Sequence, residues 1–235
     1  MLPVSIVLPT YCERDNIGIL LKALDDCMAQ QGWQGEIIVV DDNSPDGTAQ
    51  AAREYQPRGR VQIRCLVRTR QRGLATAIRC GLEQAAGERL MVMDSDFNHD
   101  PGIIPQMFQL LDQVDLVIGS RYIKGGGMQD RTRHYLSWAY NRLIMLLLKT
   151  PVHDNLSGFF AVQRSCLVEL DWDTIFQGYG EYFIRLLFAA RRRGFSMREI
   201  PVFYRLRQHG SSKSDFAAML RDYTACVLGL KRQGR

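Results

Sequence analysis

Strand-like and helix-like segments alternate regularly through the first half of this 235-residue chain. Residues 36–40 form a nearly continuous apolar run, which is typical of a strand buried on both faces of a sheet. The segment before it has the spacing of a helix, with apolar residues at Ile17, Leu20, Leu21, Leu24 and Met28. The alternation predicts an α/β fold with a mostly parallel twisted sheet and helices on both faces. The predicted strands of this half are 4–8, 36–40, 61–67, 89–93 and 116–118.

The second half of the chain is less regular. Residues 135–148 and 179–193 have helical spacing, whereas 157–162 and 197–204 are strand-like. The spacing of the apolar residues in the tail predicts an amphipathic helix; these residues are Phe216, Leu220, Tyr223, Val227 and Leu230. We therefore predict one α/β domain over residues 1–213 and a helical tail over residues 214–235.

The formal net charge of +5 is compatible with nucleic acid, an anionic membrane surface or a phosphorylated substrate as partner. Nucleic acid is the weakest of these, because the basic residues lack a recognisable motif and interleaved aromatic residues. We interpret the arginines of residues 58–72 as a solvated face. The six cysteines have no metal-binding spacing, which predicts a reduced cytosolic chain without structural zinc.

Polar residues directly follow several predicted strands. In sheets of this kind, ligands bind at the carboxyl ends of the strands, so these residues are the first candidates for a binding site. They are Pro9-Thr10-Tyr11, Asp41-Asp42, Asp94-Ser95-Asp96 and Gly119-Ser120-Arg121.

Asp94 and Asp96 place two carboxylates close together at the end of a buried strand. Hard cations such as Mg²⁺ or Mn²⁺ prefer oxygen ligands, and Mg²⁺ commonly combines one or two carboxylates with substrate phosphates. Asn98 or His99 could add a ligand or an outer contact. The alternative is a polar turn that caps the helix after Pro101.

Asp41 and Asp42 end another buried strand. A carboxylate at this place can accept hydrogen bonds from the base or ribose of a nucleotide. We favour that role for Asp42, and for Asp41 we favour the capping of the following turn.

Eight short motifs follow one another along residues 3–215. They are 9–17, 40–48, 73–77, 93–96, 119–122, 125–127, Asp154 with 157–159, and Arg207 with 210–213. In this order they resemble the dolichyl-phosphate mannose synthases. The run Asp42-Asn43-Ser44-Pro45-Asp46-Gly47-Thr48 is the most distinctive of them.

The resemblance implies a GT-A fold and an inverting transfer of mannose from GDP-mannose to a polyprenyl (dolichyl-type) phosphate. It implies a nucleotide-sugar site at Pro9, Tyr11, Glu13, Asp42, Asp94, Asp96, Arg121 and Lys213. It implies a Mg²⁺ or Mn²⁺ site at Asp94, Asp96 and Asn98. The acceptor phosphate falls at Arg121, Arg133, Ser137 and Arg207, and the implied catalytic residues are Asp96, Arg121, Arg133 and Arg207.

Some residues depart from the pattern of that family. Cys12 replaces the usual Asn, Ser95 replaces Ala, and Asn98 stands where Gln or Ser is commoner. Phe160 stands where Arg is usual, and residues 178–185 keep the Gly-Tyr but not the Phe-Gln-x-Glu pattern. With these departures, the resemblance still indicates the reaction class, but it indicates the identity of the sugar and of the lipid less specifically.

A phosphate acceptor needs no general base, because a phosphate monoester has a second pKa of about 6 and is ionised at neutral pH. Arginines can bind such phosphates in forked contacts; the alternative for Arg121 is an ion pair with a neighbouring acid. We expect His134, His153 and His209 to be structural or solvent-exposed.

Three alternatives to this function remain open. One is the same fold with UDP-glucose or another nucleotide sugar as donor. Another is transfer to a soluble hydroxyl acceptor, which needs a carboxylate base, and Glu181 is the candidate. The third is a non-catalytic nucleotide-sugar-binding module.

A lipid acceptor requires contact with a membrane. The longest aliphatic stretch, 143–148, is far shorter than the roughly 20 residues of a membrane-spanning helix. The segment around 138–148 and the tail could instead lie on a membrane surface, or pack on the core or a partner chain. We expect a cytoplasmic protein, peripheral on the cytoplasmic face of a membrane, with a separate membrane-anchoring subunit as one option.

Overall fold

The computed structural model describes residues 2–205 and 216–233, which form a large central sheet, a small second sheet and the helices around them. The central sheet contains β1 (Leu2–Thr10), β2 (Gly35–Asp41), β3 (Val61–Val67), β4 (Gly87–Val92), β5 (Leu116–Ser120), β7 (Phe160–Gln163) and β8 (Met197–Pro201). The second sheet contains β6 (Gly127–Met128) and β9 (Phe203–Tyr204).

The central sheet has the strand order β3-β2-β1-β4-β7-β5-β8. Its pairings are parallel except at β7, which runs antiparallel to both β4 and β5. The prediction of a mostly parallel sheet is therefore confirmed. The carboxyl ends of β1, β2 and β4 meet at one edge, where the polar strand-end residues collect.

Helices cover both faces of the sheet, as predicted. Along β1, Ile6 and Leu8 face one layer of helices and Val7 faces the other, as the two-residue period of a strand requires. The helices are α1 (Arg14–Gln30), α2 (Thr48–Glu54), α3 (Leu74–Gln84), α4 (Ile104–Leu110), α5 (Arg131–Leu148), α6 (Arg164–Val168), α7 (Trp172–Ile175), α8 (Glu181–Arg192) and α9 (Phe216–Gln233). Helices α1, α2 and α4 lie on the Ile6 side, and α3, α6, α7 and α8 on the Val7 side.

The tail helix α9 packs against α5 and α8. Tyr223, Cys226 and Val227 are buried there in a third apolar cluster, against Ile144 of α5 and Ile184 of α8. Part of the apolar tail therefore covers the core, which was one of the options that the sequence left open. The boundary predicted at 213/214 lies outside the described residues and stays a prediction.

The predicted strand 197–204 is two strands in two sheets. The change of partner occurs at Val202, whose N–H donates to Ser120 O in the central sheet and whose carbonyl accepts from Gly127 N. The strand predicted over 157–162 begins only at Phe160, because Gly158 has a positive φ of 71° that breaks the extended backbone.

Candidate active site

One cavity of about 1130 Å³ opens at the carboxyl ends of β1, β2 and β4 and continues between α5 and α9. Most of the site residues predicted from the sequence line it: Pro9, Tyr11, Glu13, Asp42, Asp94, Asp96, Asn98, Arg121, Arg133 and Ser137. Arg207, Lys213 and His209 lie outside the described residues. Residues far apart in sequence thus share a single cleft, although their contacts with substrates stay predictions.

The loop after β4, which we call the acidic loop, comprises residues 94–99. Asn98 donates to Asp96 twice, from its backbone N (3.1 Å) and its Nδ2 (2.7 Å). The Ser95 hydroxyl donates to Pro9 O (3.2 Å) and ties the loop to the end of β1. Asp100, rather than Asp94 or Asp96, caps the turn after it by accepting from Gly102 N. The polar turn of the alternative is therefore present at Asp96, but the residue that caps the turn after it is Asp100 and not Asp94 or Asp96.

The donor set of the acidic loop suits a hard cation that is shared with a substrate. Asp94 and Asp96 both line the cavity, and their carboxylates are oxygen ligands of the kind that such a cation prefers. The described residues contain no group of three or more His, Cys, Asp or Glu side chains that could hold a metal by themselves. Two carboxylates completed by phosphate oxygens and water match the way Mg²⁺ is commonly bound.

His99 ends the acidic loop and is buried, with 1% of its surface exposed. Burial, and next the nearby Arg121, lower the pKa of His99 to about 3, so the imidazole is neutral. Its Nδ1 accepts from Asp94 N (3.3 Å) and its Nε2 lies 2.5 Å from Tyr204 Oη. Because both ring nitrogens have partners, the structure favours an outer contact for His99 over a role as ligand.

Asp42 is held at the cavity wall by residues that sequence reasoning did not single out. Its Oδ1 accepts from Arg68 Nε (2.7 Å) and its Oδ2 accepts from Gly73 N (2.7 Å). Arg68 is only 9% exposed, so the interpretation of residues 58–72 as a solvated face is wrong for it. Its position directly after β3 could have predicted this contact, because residues that follow the strands lie at the edge of the sheet where the cavity opens.

The distinctive run of residues 42–48 supports the loop between β1 and α1. Ser44 Oγ accepts from Cys12 N (2.8 Å), Thr48 Oγ1 from Glu13 N (2.9 Å) and Asp46 Oδ2 from Arg14 N (3.2 Å). These are N–H groups at the start of α1, which a helix cannot satisfy internally. Asp41 in turn accepts from Ser44, which agrees with its predicted capping role.

Cys12 occupies a left-handed backbone position, with φ of 56°. Asn tolerates this conformation better than most other residues. The Asn that the resemblance places at this position would suit this backbone, and in this chain Cys12 adopts the same conformation between Tyr11 and Glu13, which both line the cavity.

Thr48→Val should weaken both the fold and nucleotide binding. Thr48 is fully buried, and its hydroxyl accepts from Glu13 N and donates to Asp46 (2.6 Å), so valine leaves two polar groups without that partner. We expect a loss of about 1–3 kcal/mol in the free energy of unfolding by urea, and weaker nucleoside diphosphate binding by calorimetry. Thr48→Ser keeps the hydroxyl and should stay near wild type; equal losses in both variants would contradict the capping role.

Arg121 forms a buried ion pair with Asp154. The Asp154 carboxylate accepts from Arg121 Nε and Nη2, both at 2.7 Å, and from its backbone N at 3.0 Å. The guanidinium also lies over the rings of Tyr204 (4.6 Å) and Tyr122 (5.2 Å). The ion-pair alternative for Arg121 is thus present, and a phosphate contact stays a prediction for Nη1, which lies outside the pair.

The far end of the cavity is apolar. It lies between α5 and α9, where Arg133 and Ser137 mark the transition from polar to apolar lining. Asp130 fixes the start of α5 by accepting from Arg133 N (3.0 Å). The apolar lining residues are Leu136, Ala139, Tyr140, Leu143, Met219, Leu220 and Tyr223.

The outer side of α5 exposes large apolar side chains. Leu146 is 76% and Trp138 44% exposed, and neither lines the cavity. Arg142 lies over the Trp138 ring at 5.8 Å, so basic and apolar groups share this face. Within residues 2–205 and 216–233, no helix has the length and apolar character needed to cross a membrane.

Glu181 is engaged elsewhere. Its carboxylate accepts from Tyr179 N (3.0 Å), and Arg185 lies 3.9 Å away. Glu181 is not one of the described residues that line the cavity, unlike its neighbours Gly180 and Tyr182. In this arrangement the Glu181 carboxylate is engaged by Tyr179 N rather than exposed in the cavity lining.

Solved structures share the fold. The crystal structure of glucosyl-3-phosphoglycerate synthase from Mycobacterium tuberculosis with Mn²⁺, uridine diphosphate and phosphoglyceric acid superimposes with a TM-score of 0.76. The match covers 98% of this chain and 78% of that chain at 22% identity. The chain therefore has a GT-A-like fold.

Sequence relatives define the family. Residues 5–170 match Glycosyl transferase family 2. The dolichol-phosphate mannosyltransferase of Pyrococcus furiosus is 31% identical over 89% of this chain, which spans 58% of the length of that relative. The Mycosarcoma maydis enzyme of the same name is 31% identical, over 92% of this chain and 75% of its own length. The polyprenol monophosphomannose synthase of Mycolicibacterium smegmatis is 30% identical, over 88% and 79%. The chain thus belongs to glycosyl transferase family 2, as a relative of its dolichol-phosphate mannosyltransferases.

Proposed function

We propose that the protein transfers mannose from GDP-mannose to a polyprenyl phosphate, with inversion at the anomeric carbon. The observation that carries this proposal is the amphiphilic cavity, which joins the acidic loop to an apolar channel between α5 and α9. A nucleotide sugar matches the polar end, and a polyprenyl chain matches the apolar end. The names of the relatives support the same donor sugar and lipid class.

Two anionic substrates then meet near the middle of the cavity. Pro9, Tyr11, Glu13 and Asp42 hold the nucleotide, and Arg133 and Ser137 bind the acceptor phosphate at the start of α5. The cationic side chains lower the repulsion between the two substrates, since guanidinium groups bind phosphates in forked geometry. Arg207 and Lys213 join this set in the proposal.

The transfer needs no proton acceptor. A phosphate oxygen forms the new bond to the anomeric carbon while the bond from that carbon to the β-phosphate oxygen of GDP breaks. The acceptor oxygen is already ionised and carries no proton to remove. Asp94 and Asp96, with Asn98, would hold Mg²⁺ or Mn²⁺, which when bound neutralises the charge that develops on the leaving diphosphate.

A hydroxyl acceptor is less well supported, because it requires a base near the acceptor and Glu181 is held outside the cavity. A uridine nucleotide donor is the stronger alternative, since the structurally similar glucosyl-3-phosphoglycerate synthase was crystallised with uridine diphosphate.

A donor panel tests the proposed function. GDP-mannose, UDP-glucose and related nucleotide sugars are incubated with a polyprenyl phosphate and Mn²⁺, and the lipid-extractable label is counted. We expect transfer from GDP-mannose that is lost in EDTA and restored by excess Mn²⁺. Preferential transfer from a uridine donor would contradict the assignment of GDP-mannose as donor. Label found only on a soluble hydroxyl acceptor would contradict the assignment of a polyprenyl phosphate as acceptor.

The exposed face of α5 is proposed to rest on an anionic membrane surface, which brings the channel to the lipid. A basic amphipathic helix can bind in this way through its apolar residues and positive charge. The protein should float with anionic liposomes, and Trp138→Glu with Leu146→Glu should return it to the soluble fraction. Val168→Glu is the matched control, because Val168 is 68% exposed on α6. Flotation that is equal in all three proteins would contradict docking through α5.

A further inference from the structure

His99 connects the acidic loop to the arginine side of the cavity. Its ring stacks on Phe159 with centroids 4.4 Å apart and meets the Tyr204 ring edge-on at 4.8 Å. Phe159 is fully buried, so the imidazole is fixed in plane by packing as well as by its hydrogen bonds. The acidic loop therefore ends in a side chain that has little freedom to turn.

The hydrogen bonds of His99 have only one consistent direction. Nδ1 accepts the Asp94 N–H, so it carries no proton, and the single N–H of a neutral imidazole must be on Nε2. Nε2 then donates to Tyr204 Oη, and the Tyr204 hydroxyl donates to Ser157 O at 2.8 Å. Burial raises the pKa of Tyr204, which keeps this proton in place.

The chain of contacts starts at the backbone of Asp94 itself. The bond from the Asp94 N–H to His99 Nδ1 joins the two ends of a loop that contains Phe97 in a strained left-handed conformation, with φ of 61°. At the other end, the Tyr204 ring lies under Arg121. Tyr204 therefore contacts both His99, which holds the acidic loop, and Arg121 of the ion pair with Asp154.

We propose that His99 is a positioning residue that holds the backbone of Asp94, and with it the Asp94 and Asp96 carboxylates, in the geometry that binds the metal ion and diphosphate. This inference rests on the proposed function for the existence of that metal ion. Residues that orient metal ligands without touching the metal commonly affect metal affinity by tenfold or more when replaced.

Two substitutions at position 99 separate the hydrogen bonds. In His99→Asn the amide oxygen can take the place of Nδ1 and accept from Asp94 N, whereas His99→Gln reaches only the Nε2 position. Mn²⁺ binding to the full chain is titrated by the loss of the free-ion paramagnetic resonance signal, with GDP and with UDP. We expect His99→Gln to bind Mn²⁺ roughly tenfold more weakly, and His99→Asn, which keeps the Asp94 bond but gives up the bond to Tyr204, to lose only several-fold.

Two tyrosine variants, each lacking only one hydroxyl group, perturb the structure less than the substitutions of His99. Tyr204→Phe removes one oxygen and leaves Nε2–H without its acceptor, so a several-fold loss of Mn²⁺ affinity is expected. Tyr55→Phe removes a partly buried tyrosine bond, the one to Asp25 at 3.2 Å, and Tyr55 does not line the cavity, so Mn²⁺ affinity should not change. Thermal melting of each variant separates loss of affinity from loss of fold.

Each outcome decides the proposal. Wild-type affinity in His99→Gln, or equal losses in His99→Asn and His99→Gln, would overturn it, because the Asp94 bond would then not matter. If His99→Gln does not fold, unchanged affinity in Tyr204→Phe overturns it as well. A wild-type protein that takes up no Mn²⁺ with either nucleotide would overturn the metal of the proposed function, and the role of His99 with it.

Discussion

Asp154→Ala is expected to lower the free energy of unfolding by about 3–5 kcal/mol, which is the usual cost of leaving one partner of a buried ion pair uncompensated. Asp154 is fully buried and Arg121 is 5% exposed, so the variant leaves a largely buried guanidinium without its carboxylate partner. The variant also loses four hydrogen bonds at once, three from Arg121 and one from Leu156 N. Urea denaturation followed by circular dichroism measures the change.

A matched control distinguishes burial from charge. Asp173 pairs with Arg79 through the same kind of contact, but Asp173 is 83% exposed. Asp173→Ala should therefore cost less than about 1 kcal/mol. The double variant Arg121→Met with Asp154→Leu removes both charges, and we expect it to be more stable than Asp154→Ala alone. A stability loss in Asp154→Ala no greater than in Asp173→Ala would contradict this account.

The sequence predicted the architecture wherever local pattern determines structure. The apolar runs of β1 to β5 and the helical spacing of α1 and α3 are local signals, and their alternation implies the parallel order. The antiparallel insertion of β7 between β4 and β5 is not a local property. The division of residues 197–204 depends on a partner some 75 residues earlier, which no period within the segment reveals.

The candidate site follows the same rule. Pro9, Asp42, Asp94 and Arg121 could be predicted to line one cleft, because the ends of parallel strands meet at one edge. Their partners could not be predicted, because each pairing joins separate parts of the chain. Asp154 reaches Arg121 across 33 residues, and Tyr204 reaches His99 across 105.

The arginines show why composition is a weak guide to position. Arg68 and Arg72 stand four residues apart in one cluster. Arg68 is buried against Asp42, whereas Arg72 lies over the exposed ring of Tyr11 at the cavity mouth. The difference arises because Arg68 follows β3 at the sheet edge, while Arg72 is in the loop that leads to α3.

Asp94→Asn and Asp96→Asn should each reduce turnover by roughly a hundredfold or more, while the protein stays folded. The expected loss corresponds to about 3 kcal/mol of transition-state stabilisation, at 1.36 kcal/mol for each factor of ten. The amide keeps the shape of the carboxylate but removes the negative charge that attracts a hard cation. Excess Mn²⁺ should recover part of the activity, since weaker binding is opposed by mass action.

Asp100→Asn is the control for this pair, because it changes a carboxylate in the next turn that caps Gly102 and is exposed to solvent. Its turnover should stay near wild type. The aspartate variants and the role of His99 are connected. Replacing Asp94 or Asp96 removes one metal ligand, whereas loss of the bond from His99 to the Asp94 backbone displaces both carboxylates without removing either. Metal affinity should therefore fall in all three cases, but excess Mn²⁺ should restore turnover most fully in His99→Gln, where both carboxylates remain. Equal turnover in Asp100→Asn and Asp96→Asn would instead mean that the acidic loop acts only through its fold.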